Sequence, residues 1–131
     1  MARFTKEITA RPEDIDILGH VNNAVWVQWI QDVAVAHWDA VAPPEYRDQY
    51  IWVVTRHEID YRGNVKAGET VTGETWVEDA PRGARFDRLM RFTDMNGAVK
   101  VEARTTWAMI DRASGRLARV REDIADLFVE L

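Results

Sequence analysis

Asn23-Ala24-Val25-Trp26-Val27-Gln28-Trp29-Ile30-Gln31-Asp32-Val33-Ala34-Val35-Ala36-His37-Trp38-Asp39-Ala40-Val41 contains neither glycine nor proline. Its apolar side chains fall at Val25, Trp26, Trp29, Ile30, Val33, Ala34, Trp38 and Val41, which is helical spacing. Ala24, Val27, Val35 and Ala36 occupy the remaining faces, and a helix apolar on most faces is expected to be mostly buried. Pro43-Pro44 then stops it. The loop before it, Arg11 to Asn23, is polar and carries Pro12 and Gly19.

Most of the remaining chain reads as strand. Residues 3–10 alternate loosely. Ile51, Val53, Thr55, His57, Ile59 and Tyr61 alternate with Trp52, Val54, Arg56, Glu58 and Asp60, which predicts two continuous faces. That alternation sets Glu58 and Asp60 opposite His57 and argues against a local His–carboxylate pair. Thr70 to Val77, Phe86 to Phe92 and Val99 to Met109 alternate in the same way, with Asn96-Gly97 as a hairpin signal. Residues Asp123 to Phe128 suggest a short closing helix. A helix of this length spans roughly 28 Å, and strands of about nine residues span roughly 30 Å. The matched lengths predict an α+β fold, a largely antiparallel sheet curled around one long helix, in a single domain over 1–131. One helix cannot cover both faces of a sheet, so the other face needs solvent or a partner.

The chemistry lies just before that helix, in Asp14-Ile15-Asp16-Ile17-Leu18-Gly19-His20-Val21-Asn22-Asn23. Two carboxylates, an imidazole and two amides precede a helix N-terminus, whose free N–H groups and partial positive charge can polarise a carbonyl and hold an oxyanion. Asp16 can then serve as nucleophile or as general base on water. Gly19 would let backbone approach a ligand, and His20 is the next group that would polarise the carbonyl. The reaction implied is acyl transfer to water, with no metal and no cofactor. Ordinary structural roles compete for the same residues. Asn22 and Asn23 are both good helix caps, Asp14 and Asp16 both suit an ordinary polar loop, and His37 and His57 suit packing.

Composition narrows the alternatives. The chain has 47% hydrophobic and 30% charged residues, which suits a globular protein. A net charge of -5 gives no general basic surface for nucleic acid or an anionic membrane. With no cysteine there is no disulfide, thiolate metal site or thiol nucleophile. No apolar run resembles a signal peptide or a membrane span, and the expected location is cytoplasmic. Six tryptophans need a large core, an apolar pocket or an interface.

Asp16-x-x-Gly19-His20-Val21-Asn22-Asn23 followed by an apolar helix resembles the signature of hotdog-fold thioesterases, and most closely the 4-hydroxybenzoyl-CoA thioesterase-like group of acyl-CoA thioesterases. The likeness extends to Arg56-His57-Glu58-Ile59-Asp60-Tyr61, Lys66-Ala67-Gly68-Glu69 and Trp107-Ala108-Met109-Ile110-Asp111. The same Gly-His-Val-Asn-Asn block occurs in fatty acyl-carrier-protein thioesterases, but Leu18 stands where those plant-type relatives carry an asparagine.

The resemblance implies a hotdog fold and hydrolysis of an acyl-CoA, with Asp16 as the catalytic carboxylate. It implies that the Asn23 N–H holds the thioester oxygen, with Gly19 and His20 in the same loop and Asn22 and His57 as substrate-binding residues. It implies that basic residues before a phenylalanine-containing strand, here Arg82 and Arg85, meet the CoA phosphates. It further implies a homodimer or homotetramer with the active site between subunits and Trp52, His57 and Tyr61 near the seam. An acyl-carrier-protein thioesterase and a non-catalytic acyl-CoA-binding module are the alternatives.

Overall fold

A computed structural model describes residues 3–129. The elements run β1 (Phe4–Thr9), α1 (Asn23–Val41), α2 (Pro44–Gln49), β2 (Tyr50–Tyr61), β3 (Thr70–Trp76), β4 (Arg85–Asp94), β5 (Val99–Asp111) and α3 (Glu122–Ala125). Short 3-10 turns occupy Pro12–Asp14 and Asp126–Phe128. The strands form one antiparallel sheet in the order β1-β3-β4-β5-β2, and α1 packs against one of its faces. This is the sheet-around-helix architecture the sequence predicts.

Helix α1 begins and ends where the sequence places it. Asn22 is its N-cap, the Asn22 Oδ1 accepting from the Ala24 N–H at 2.9 Å. Ala42 leaves the helix in an extended conformation before Pro43. Pro44 then opens α2, because proline fits the first turn of a new helix. The proline pair thus ends one helix and starts the next, where its sequence signal predicts only a stop.

Packing divides around α1. Near its start, Trp26, Trp29, Ile30 and Val33 meet Val71, Met90, Phe92, Val101 and Ala103. Near its end, Trp38 meets Tyr50, Phe86, Met109, Ile124 and Phe128. Gly73 lets β3 and the helix meet, since a Cβ there would lie 2.8 Å from both Phe92 and Val33 side chains.

Two sequence expectations need correction. First, α1 is not buried on most faces within one chain: Ala24, Gln28, Asp32, Val35, Asp39 and Ala40 are exposed. Its second apolar side lacks a cover among the described residues. Second, β2 does not keep one phase. Its pairing with β5 slips between Val54 and Arg56, so Thr55 is a bulge. Before it Tyr50, Trp52 and Val54 face inward, and after it His57, Ile59 and Tyr61 do. Trp52 and His57 therefore share a face, whereas strict alternation separates them. Glu58 and Asp60 remain on the face opposite His57.

Candidate active site

The Asp16 loop is a closed hairpin held by its own backbone. Ile15 and Val21 form a bridge, Asp16 N–H donates to the His20 carbonyl at 2.8 Å, and Gly19 N–H donates to the Asp16 carbonyl at 3.0 Å. The Asp16 Oδ1 accepts from the Leu18 N–H at 2.9 Å and from the His20 N–H at 3.2 Å. The Oδ2 atom has no hydrogen-bond partner among the described residues. One carboxylate oxygen thus fixes the loop, and the other takes no part in holding it. Gly19 has φ +79, and a Cβ at this position would meet no atom within 4 Å. The left-handed backbone favours glycine there.

Three further residues, Asp14, Asn64 and Tyr61, anchor this loop to the helix mouth. Asp14 is buried, its Oδ2 accepts from the Arg11 N–H at 2.9 Å, and its carbonyl accepts from the Asn22 N–H at 3.0 Å. It is a structural acid of the turn and not an ordinary exposed one. The Asn64 Oδ1 accepts from Val21 N–H at 2.8 Å and Val65 N–H at 2.9 Å, tying the loop to the end of β2. The Tyr61 hydroxyl donates to the Asn23 carbonyl at 3.4 Å. Partial burial raises the Tyr61 phenol above its ordinary pKa, which keeps it a donor at neutral pH. Asn64 reads as turn punctuation in the sequence, and only its side chain's long-range reach reveals its role.

The first turn of α1 leaves one donor open. Ala24 N–H is capped by Asn22 Oδ1, and Val25 and Trp26 N–H donate to the Asn22 carbonyl at 2.9 and 3.3 Å. The Asn23 N–H has no partner among the described residues. Asn22 is the cap, and Asn23 is the first helical residue. A free N–H at the positive end of a helix, beside a loop presenting an unpaired carboxylate oxygen, can polarise a carbonyl while the carboxylate attacks it or takes a proton from water.

The remaining candidates are dispersed. The His20 side chain is exposed, and its backbone is held by Asp16. His57 is half-buried on the inner face of β2, with Nδ1 3.0 Å from Thr105 Oγ1, and burial lowers its pKa. Arg82 pairs with Asp87 at 3.2 Å, and Arg85 is exposed across the same tight turn. Arg85 stands opposite Ala108, whereas Tyr61, at the helix mouth, stands opposite Val101. Seven residues of β5 separate these positions, roughly 23 Å. One chain does not bring Arg82 and Arg85 to Asp16.

The site is also open. Ile17 is 100% exposed and Leu18 75% exposed, so the tip beside Asp16 presents apolar surface to solvent. Strand β2 is an edge of twelve residues, long enough to template pairing with another strand.

Comparison with known proteins agrees with this architecture. Residues 10–128 match the family model of the thioesterase-like superfamily, and the chain belongs to that superfamily. It is 31% identical over 84 residues to a palmitoyl-acyl carrier protein thioesterase of Arabidopsis thaliana, an alignment covering 63% of this chain and 20% of that protein. The chain spans about a fifth of the length of the curated relatives it matches. Among solved structures, a predicted thioesterase from Bacillus stearothermophilus superposes with a TM-score of 0.85 at 24% identity, covering 98% of this chain and 95% of that one. A DHNA-CoA thioesterase from Staphylococcus aureus gives 0.84 at 18% identity, covering 98% and 90%. These likenesses establish the hotdog fold.

Proposed function

We propose that the protein hydrolyses an acyl-CoA thioester to the free acid and CoA at the mouth of α1. The observation that carries this reading is that Asp16 Oδ2 and the Asn23 N–H, in one loop leading into α1, both lack a hydrogen-bond partner among the described residues. The thioester oxygen accepts from the Asn23 N–H, which holds the charge that develops on it. Asp16 then acts in one of two ways. As general base it takes a proton from water, the hydroxide oxygen bonds to the carbonyl carbon, and the C–S bond breaks as the thiolate leaves. As nucleophile it forms an acyl–aspartyl anhydride, which water cleaves to the same acid. Both routes release one thiol and one carboxylic acid per water consumed.

A second chain completes the site in this proposal. Exposed Ile17 and Leu18, the uncovered side of α1 with Val35, and the unpaired edge of β2 all support a homodimer or homotetramer. Arg82 and Arg85, distant from Asp16 within one chain, would then meet the CoA phosphates from the other subunit. His57 and Asn22 would border the acyl portion, His57 as a neutral imidazole.

The name of the Arabidopsis relative supports a second reading, in which acyl-carrier protein delivers the thioester. The name of the Staphylococcus relative supports CoA. Thiol release measured over a panel of aromatic and aliphatic acyl-CoAs, and then over acylated carrier protein, tests both. Turnover of at least one acyl-CoA supports the first reading, and turnover of acylated carrier protein alone supports the second. No thiol release from any substrate would leave a binding module and refute hydrolysis.

A further inference from the structure

A cavity of about 260 Å³ opens at the other end of α1, between its last turns and strands β2, β4 and β5. Trp38, Trp52, Phe86, Trp107 and Phe128 give it aromatic walls, Arg47 and Arg112 also border it, and no residue of the Asp16 loop takes part. Into this aromatic chamber the inner face of β4 projects a charge, Arg88, which is 6% exposed. Burying a cation is costly unless an anion accompanies it.

Among the described residues no anion pairs with Arg88. Arg88 Nη1 lies 2.9 Å from His37 Nδ1 and 3.0 Å from Thr75 Oγ1, and the guanidinium sits 5.1 Å above the Phe128 ring. An arginine has five N–H donors, yet among the described residues partners are found for Nη1 alone. Two acids border the cavity, and neither pairs with Arg88. Asp39 is exposed, and the Asp87 carboxylate is taken by Arg82, Arg104 and Thr106 on the sheet's outer face. His37 adds no negative charge. Burial and the neighbouring Arg88 push its pKa down to about 3, so it is a neutral acceptor. Burial lowers Arg88 to about 9, which still leaves it charged at neutral pH. The indole N–H groups of Trp52 and Trp107 are likewise buried without a partner.

We infer that this cavity binds a small apolar carboxylate, with its ring or short chain among the tryptophans and its carboxylate on the Arg88 guanidinium. The fork geometry of arginine suits a carboxylate, and charge-assisted bonds are the strong ones. Size sets the limit: a cavity of about 150 Å³ accepts benzene, so this one holds a ring, a carboxylate and a few further atoms. The inference does not rest on thioester hydrolysis, and it is read by binding to the full chain in its solution assembly, because Val35 and the β2 residues at the cavity border belong to the surface the proposed subunit contact uses.

The test is calorimetry and tryptophan fluorescence of the full chain with phenylacetate and hexanoate, each against its neutral amide. The acids should bind at least tenfold more tightly than phenylacetamide and hexanamide. Arg88→Met replaces a buried charge with an apolar chain of similar reach, should fold, and should abolish the preference for acid over amide. Asp16→Asn should leave the acid affinity within twofold, because that loop is not part of the cavity. The wild-type comparison and the Asp16→Asn arm need no Arg88 variant. Absence of binding, equal affinity for acid and amide, or retained preference in Arg88→Met would each overturn the inference. A marked change of affinity in Asp16→Asn would overturn it too, by placing the ligand at the helix mouth.

Discussion

Replacing Asn23 by proline isolates the backbone donor from every other property of the site. Asn23 is the first residue of α1, the position at which proline is best tolerated. Its N–H donates to no described residue, so folding loses no hydrogen bond when it is removed. Asn22 has φ -58 and ψ 138, in the extended region that a residue before proline prefers. The fold therefore accepts the change, and any loss falls on the reaction. Removing one oxyanion donor costs about 2.7–4 kcal/mol of transition-state stabilisation, on the order of 10²–10³ in kcat. Asn23→Ala keeps the N–H and, since Asn22 is the cap, should leave both rate and stability close to the wild type. Asn22→Ala removes the 2.9 Å bond to Ala24 N–H and should cost about 0.5–2 kcal/mol of stability. Thiol release from a hydrolysed acyl-CoA, with urea unfolding of each variant, gives both readings. Asn23→Pro with a normal kcat, or Asn23→Ala as slow as Asn23→Pro, would refute the assignment.

Gly73→Ala should destabilise the protein by about 1–3 kcal/mol in urea unfolding, because the new Cβ meets Phe92 and Val33 at 2.8 Å in the packed seam between β3 and α1. Burial holds His37 and His57 below the ordinary imidazole pKa, so the unfolded chain binds protons that the folded chain refuses. Stability should be full above about pH 6.5 and fall as pH drops from there toward 3; urea midpoints between pH 8 and 5 should decline, and His37→Gln should flatten the decline. Light scattering should find a dimer or larger assembly, and an active stable monomer would contradict a site completed by a second chain.

Local periodicity makes much of this fold legible. The Asn23–Val41 helix is readable from spacing and the absence of glycine and proline, and the antiparallel strands from alternation. The Thr55 bulge is not, because a bulge is set by pairing with β5 and leaves the Ile51–Tyr61 alternation looking regular. It matters, since it brings Trp52 and His57 to one face. Asn22 as a cap is legible from residue type and place, although Asn23 is an equal candidate on those grounds. Asn64 and Asp14 are opaque, because their roles depend on bonds to backbone across a closed loop. Arg88 looks like any alternating strand residue, and its burial beside an aromatic cavity emerges only from the packing of β4 against α1.

The central claim rests on one oxygen atom. In Asp16→Asn the Oδ1 still accepts from the Leu18 and His20 N–H groups, so the loop keeps its shape. The oxygen that would attack or take a proton becomes an NH₂ group with no basicity. Measured as kcat for thiol release from an acyl-CoA, with the melting temperature alongside, the substitution should slow turnover by on the order of 10²–10⁴ at an unchanged melting temperature. Near-normal kcat in a folded Asp16→Asn protein would contradict the account.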